Sequence, residues 1–167
     1  MIAGVLDDVF GVPTHPLAVH APVVLVPIAA VVAVVLAART DWRVRVGWLM
    51  PAAVLVLVAM LFVAKESGES AKEAENVFGD IARHEDLANA TFVLSLVWFV
   101  LTLAVAVRDR MTVRDRHTFA LSADAAMVGR DTIGQVLAIL AAAAAVITTV
   151  WLIRTGHAGA ESRWKID

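Results

Sequence analysis

No cysteine occurs in the 167 residues. That absence excludes disulfides, thiolate metal sites, iron–sulfur clusters and covalently attached c-type haem, each of which needs cysteine sulfur. Charge is scarce as well. Only 18% of residues are charged while 60% are hydrophobic, and mean hydropathy is +0.78. Soluble domains carry about a quarter charged residues, so a water-soluble fold explains this composition poorly. A net charge of −2 offers no basic surface to neutralise phosphates, so nucleic acid is not an expected partner. The start of the chain lacks a basic n-region, and Asp7 and Asp8 interrupt any apolar stretch there. A cleavable signal peptide is therefore not expected, and the first apolar helix should stay in the membrane. No Ser-His-Asp order, phosphate loop, paired-carboxylate arrangement or thiol motif is present, so the expectation leans away from an enzyme.

What is present is apolar sequence in blocks too long for soluble helices. A membrane span needs about 20 such residues, and four blocks qualify, at about 16–38, 46–64, 87–107 and 132–155. The expected fold class is all-α: one membrane domain over 1–167, built as an antiparallel four-helix transmembrane bundle. Its surroundings are the lipid bilayer of the inner (plasma) membrane, crossed in several passes. Residues 1–13 are too short to span. Ile2, Val5, Leu6, Val9 and Phe10 recur at helical spacing there, so the segment is either a short helix lying at the interface or a frayed terminus.

Within the spans, Ala29, Ala33 and Ala37 form one small-residue stripe. Gly134, Ala138, Ala141–Ala145 and Thr149 offer another, suited to close helix contact. Pro22 and Pro27 free carbonyls near Ala18 and Val23. Such carbonyls need protein or water partners in lipid, so the start of the first span should be bent and packed inward.

Orientation follows from the loops. Arg39, Arg43 and Arg45 precede the second span, and Arg108, Arg110, Arg114, Arg116 and Arg130 follow the third. These basic loops fall on one side of a four-span chain. The positive-inside rule puts them in the cytoplasm and both termini outside it. The acidic stretch 65–86 falls on the opposite side and reads as a solvated helix or loop.

That topology gathers His15, His20, His84 and His157 at the outer face and leaves His117 inside. Each of the four also has a bland reading. His15 before Pro16 can cap the helix, His20 can donate to a carbonyl freed by proline, and His84 between Arg83 and Glu85 can be an exposed loop residue. His157 can sit at a helix C-terminus and favour the dipole there. Glu69 and Glu161 can be ordinary solvated carboxylates. The functional reading is that these side chains converge, because His20 lies roughly 7 Å deeper than His15, where an unpaired polar group is costly.

The motifs His15-Pro16-x-x-Val19-His20-x-Pro22, Gly68-Glu69, His84 before the third span and Gly156-His157-x-Gly159-Ala160 together resemble a bacterial membrane family. It is the one catalogued as domain of unknown function 2231, and the resemblance covers nearly the whole chain. It implies that the four histidines belong to the family's motifs. Relatives joined to Rieske-type domains imply respiratory or redox surroundings. This chain has no cysteine to build such a centre, so its redox partner would be a separate protein or the subunits of a respiratory complex.

Three functions compete. The first is a b-type haem protein in electron transfer, with His20 and either His84 or His157 as axial ligands and Arg83, Arg154 or Lys65 pairing the propionates. The second is a zinc, iron or copper site drawn from His15, His20, Glu69, His84 and His157. The third is a non-catalytic accessory subunit of a larger respiratory complex, in which the histidines only stabilise helix ends.

Overall fold

The computed structural model describes residues 8–9, 12–74, 81–114 and 131–164. Helix α1 covers Thr14–Ala38, α2 Thr40–Val46, α3 Leu49–Ala74, α4 Ile81–Arg114 and α5 Thr132–Trp164. Four of them, α1, α3, α4 and α5, are long and apolar enough to cross a membrane, with mean hydropathies between 2.0 and 2.7. The all-α, four-span expectation holds.

Details differ from the sequence reading. Strands β1 (Asp8–Val9) and β2 (Val12–Pro13) pair antiparallel in the described part of 1–13, where an interfacial helix or a frayed terminus was expected. Pro13 disfavours a helical Val12, because its ring crowds the preceding residue out of the α region. The second long helix starts at Leu49 instead of Val46. The break is Gly47, whose φ of +48° suits a residue without Cβ and whose N–H closes α2 on the Arg43 carbonyl at 2.9 Å. The helices also outrun the expected spans. The acidic stretch supplies the last turns of α3 and the first of α4, since Ala, Glu and Lys are good helix formers once outside lipid.

Each long helix packs against two neighbours, in the order α1–α3–α4–α5 and back to α1. The pairing of α4 with α5 is the most extensive. The interior is built from small residues. Ala30 and Ala33 of α1 share the main buried cluster with Ala144 and Ala145 of α5, Leu57 of α3 and Trp98 of α4. Trp98, Val26, Val54 and Leu152 fill the space between them, while other large side chains such as Val31, Ile133 and Ile153 are exposed. Lipid tails are as apolar as valine, so burying bulk gains little; close backbone approach across alanine is what favours association.

Hydroxyls inside the bundle are satisfied within their own helices. Ser95 donates to the Phe92 carbonyl at 2.6 Å, Thr102 to Phe99 at 2.9 Å and Thr148 to Ala144 at 2.8 Å. Trp98 Nε1 is buried and has no hydrogen-bond partner among the described residues. Helix α1 runs through Pro22 and Pro27 without interruption, and Pro22 is fully buried.

The alanine faces set a test. Ala145 is fully buried, whereas Ala143, two residues away, is exposed. Ala145→Leu should overpack the α1–α5 contact and destabilise the bundle by about 1–3 kcal/mol, while Ala143→Leu leaves stability unchanged. Thermal unfolding in detergent measures both, and equal melting temperatures would show that the contact tolerates bulk.

Candidate functional site at the histidine end

The start of α4 and the end of α5 meet at one end of the bundle. His84 lies in the first turn of α4, and its Nδ1 is 2.9 Å from the Thr155 carbonyl of α5. A carbonyl only accepts, so Nδ1 carries the hydrogen, and in the neutral ring Nε2 is left with its lone pair. The ring lies directly on Gly159. A Cβ at that position would stand 2.9 Å from His84 Cε1 and 3.0 Å from Nδ1, closer than van der Waals contact allows. Glycine is what lets the imidazole lie against α5.

One turn further in, Thr91 Oγ1 and Thr155 Oγ1 are 3.0 Å apart. Each also approaches a carbonyl of its own helix, Leu87 at 2.7 Å and Trp151 at 2.9 Å. Two hydroxyl protons therefore serve three short contacts. Thr155 takes part twice, through its carbonyl and its hydroxyl, and so ties the imidazole to the buried seam between α4 and α5.

The other expected site residues are spread around this point. His157 is 72% exposed at its side chain, with Nε2 3.3 Å from Glu161 Oε1 on the next turn. The Glu161 carboxylate also reaches Arg83 across the helix pair, at 3.5 Å. These are exposed pairs in high dielectric and contribute little to stability. His157 stands about 200° around the helix from Gly159, so α5 presents it away from His84. Arg154, expected as a propionate partner, stacks on Trp151 of its own helix, 4.9 Å from the ring centroid. His20 is exposed on α1. Pro22, about 200° round the same helix, takes the inward position, so burying that proline turns His20 away from the bundle axis. His15 lies in α1 and Glu69 in α3, with side chains outside the described residues, as is His117. Among the described residues no group of three or more His, Asp or Glu side chains is placed to hold a metal ion.

A second polar cluster occupies the opposite end, where the sequence showed only basic loops. Arg43, 5% exposed, donates from Nε to Asp109 Oδ2 at 2.9 Å and from NH2 to Oδ1 at 3.3 Å. Its NH1 donates to Gln135 Oε1 at 3.0 Å, and Gln135 Nε2 donates to the Ala37 carbonyl at 2.8 Å. Beside it, Arg108 grips Asp131 through two hydrogen bonds of 2.7 and 3.0 Å. The Arg108 hydrogen bonds hold the Asp131 carboxyl below the usual carboxylate range, with help from the Gly134 N–H and the Thr112 hydroxyl. A pocket of about 40 Å³ opens beside Arg43 and Asp109, walled by Ala33, Ala37, Ala138 and Ala141. The available signal was an acid inside each basic segment and the Asp131–Gln135 spacing at the start of the fourth span.

The His84–Gly159 contact is testable by a double-mutant cycle. Gly159→Ala should displace the ring and cost about 1 kcal/mol, the worth of one hydrogen bond. In a His84→Ala background the same substitution should cost almost nothing. Equal costs in the two backgrounds would show that the glycine serves something other than the imidazole.

Comparison with known proteins places this geometry in a family. No curated protein and no solved structure matches the chain. Residues 11–167 match the family described as "Predicted membrane protein (DUF2231)", which spans all four long helices and both polar ends. The chain is a multi-pass membrane protein and belongs to that family.

Proposed function

We propose that the histidine end holds a redox cofactor by imidazole ligation, b-type haem in the first place, in an electron-transfer setting of the plasma membrane. The observation that carries the reading is the His84 ring. Its Nδ1–H is committed to the Thr155 carbonyl and its face to Gly159, which fixes tautomer and orientation and leaves Nε2 as the donor atom. Ligating histidines are typically held in this way, by a hydrogen bond from the other ring nitrogen to a carbonyl or carboxylate. A second imidazole would come from His15 of α1, the helix that packs on α5, because His20 on the same helix turns away from the bundle axis. Arg83 and Arg154 stand on the same two helices as His84 and Thr155, and would supply positive charge for anionic substituents of the bound group by leaving Glu161 and Trp151. Haem bound there would supply one-electron chemistry. A zinc, iron or copper ion would draw on the same imidazoles, with Glu69 and His157 added.

The orientation belongs to the same reading. Arg39, Arg43, Arg45, Arg108 and Arg110 sit at the end opposite His84, which supports a cytoplasmic arginine end and a histidine end facing outward.

Two measurements test the reading. The purified protein should show Soret absorbance, or stoichiometric transition metal by elemental analysis, and His84→Ala should lose it while His117→Ala retains it. A colourless, metal-free protein would overturn the cofactor and leave the accessory-subunit reading. For orientation, the cysteine-free chain allows clean single labels: Gly156→Cys should react with an impermeant maleimide from outside intact cells, and Asp41→Cys only after permeabilisation. The reverse pattern would invert the topology.

A further inference from the structure

Among the described residues, charge at the arginine end does not balance. Arg43 is engaged with Asp109 and Arg108 with Asp131. Arg39, Arg45 and Arg110 remain exposed, with Asp41 the acid left beside them among the described residues. None of these three arginines makes an ion pair or side-chain hydrogen bond among the described residues.

The helix that carries Arg45 has only seven residues and a length of roughly 10 Å, far too short to cross the bilayer. It joins the ends of two membrane-length helices, α1 and α3. Its anchor is the buried Arg43, bonded to Asp109 and Gln135. With that side chain drawn inward, the rest of the connection faces outward: Trp42 is 51% exposed, Trp48 48% and Leu49 72%. Arg110 follows Asp109 directly, so the same ion pair fixes its level along the bundle at the depth of this connection. Exposed indoles at the ends of spans sit at headgroup depth, apolar body toward the acyl chains and N–H toward water. Unpaired guanidiniums at that depth match phosphate oxygens in charge and in hydrogen-bond geometry.

We propose that Arg39, Arg45 and Arg110, flanked by Trp42 and Trp48, form a binding face for the headgroups of anionic phospholipids. The charge complementarity and the rigid Arg43 anchor carry it, and it is independent of what the histidine end holds.

The test uses the full-length protein reconstituted in phosphatidylcholine mixed with phosphatidylglycerol, then extracted mildly, with the retained lipid quantified by mass spectrometry. Phosphatidylglycerol should be enriched over its bulk fraction. Each arginine removed should reduce that preference roughly five-fold, and Arg39→Gln/Arg45→Gln/Arg110→Gln together should return it to the bulk ratio. Enrichment should persist in excess inorganic phosphate at matched ionic strength. A bulk ratio in the unmodified protein, or unchanged enrichment in the triple variant, would overturn the proposal. Displacement by inorganic phosphate would also overturn it, as a site for free anions. Melting in pure phosphatidylcholine checks the triple variant's fold; where it melts early, Arg45→Gln and Arg110→Gln singly decide the matter, each expected to lose part of the enrichment.

Discussion

Arg43 is a full positive charge held inside a bundle whose surroundings cannot solvate it. Taking such a group out of water costs several kcal/mol unless a partner and hydrogen bonds compensate. The protein supplies both, and the way it does so fixes the bundle. Asp109 of α4 provides the countercharge. Gln135 of α5 accepts a third bond from the guanidinium and turns its own amide to the Ala37 carbonyl. That carbonyl is one of the last four of α1, which have no partner within the helix. One side chain from the short α2 therefore joins α1, α4 and α5. Any shift in register between these helices would leave a buried charge or a buried carbonyl unpaired, a larger loss than a misplaced alanine contact.

The two ends of the bundle solve the same problem differently. Inside the arginine end the buried groups, Arg43 and Asp109, are ionic and paired. In the buried seam at the histidine end they are an imidazole, two threonine hydroxyls and a carbonyl, with two hydroxyl protons for three hydroxyl contacts. The first arrangement is suited to holding helices in register. The second leaves hydrogen-bonding capacity over, on the ring nitrogen of a side chain already fixed in orientation.

The spans were legible in the sequence because the signal is local. Twenty apolar residues in a row report their own environment, and Gly134, Ala138 and Ala141 announced their inward face by size alone. His84 and Gly159 were visible as motif residues, but their contact was not, because nothing in the 74 intervening residues encodes that a ring will lie on a missing Cβ. His20 misled for a geometric reason: it is two residues from Pro22, and a helix cannot turn both inward. Arg43 was hidden among basic neighbours that serve orientation, and its partners lie 66 and 92 residues away. Long-range ion pairs leave no periodic trace.

The closed ring of helices has a consequence for synthesis. Helix α5, which leaves the ribosome after the other three long helices, packs against α4 and also against α1, which leaves before them. Until it arrives, the alanine faces of α1 and the Thr91 hydroxyl of α4 border lipid or a translocon wall, and Arg43 lacks Gln135. A nascent chain carrying three spans is therefore an open sheet of helices with unfinished polar edges, and insertion of the fourth completes both ends at once. Chains stalled before residue 132 lack both the Gln135 bond to Arg43 and the Thr155 contact to His84, so neither end is closed.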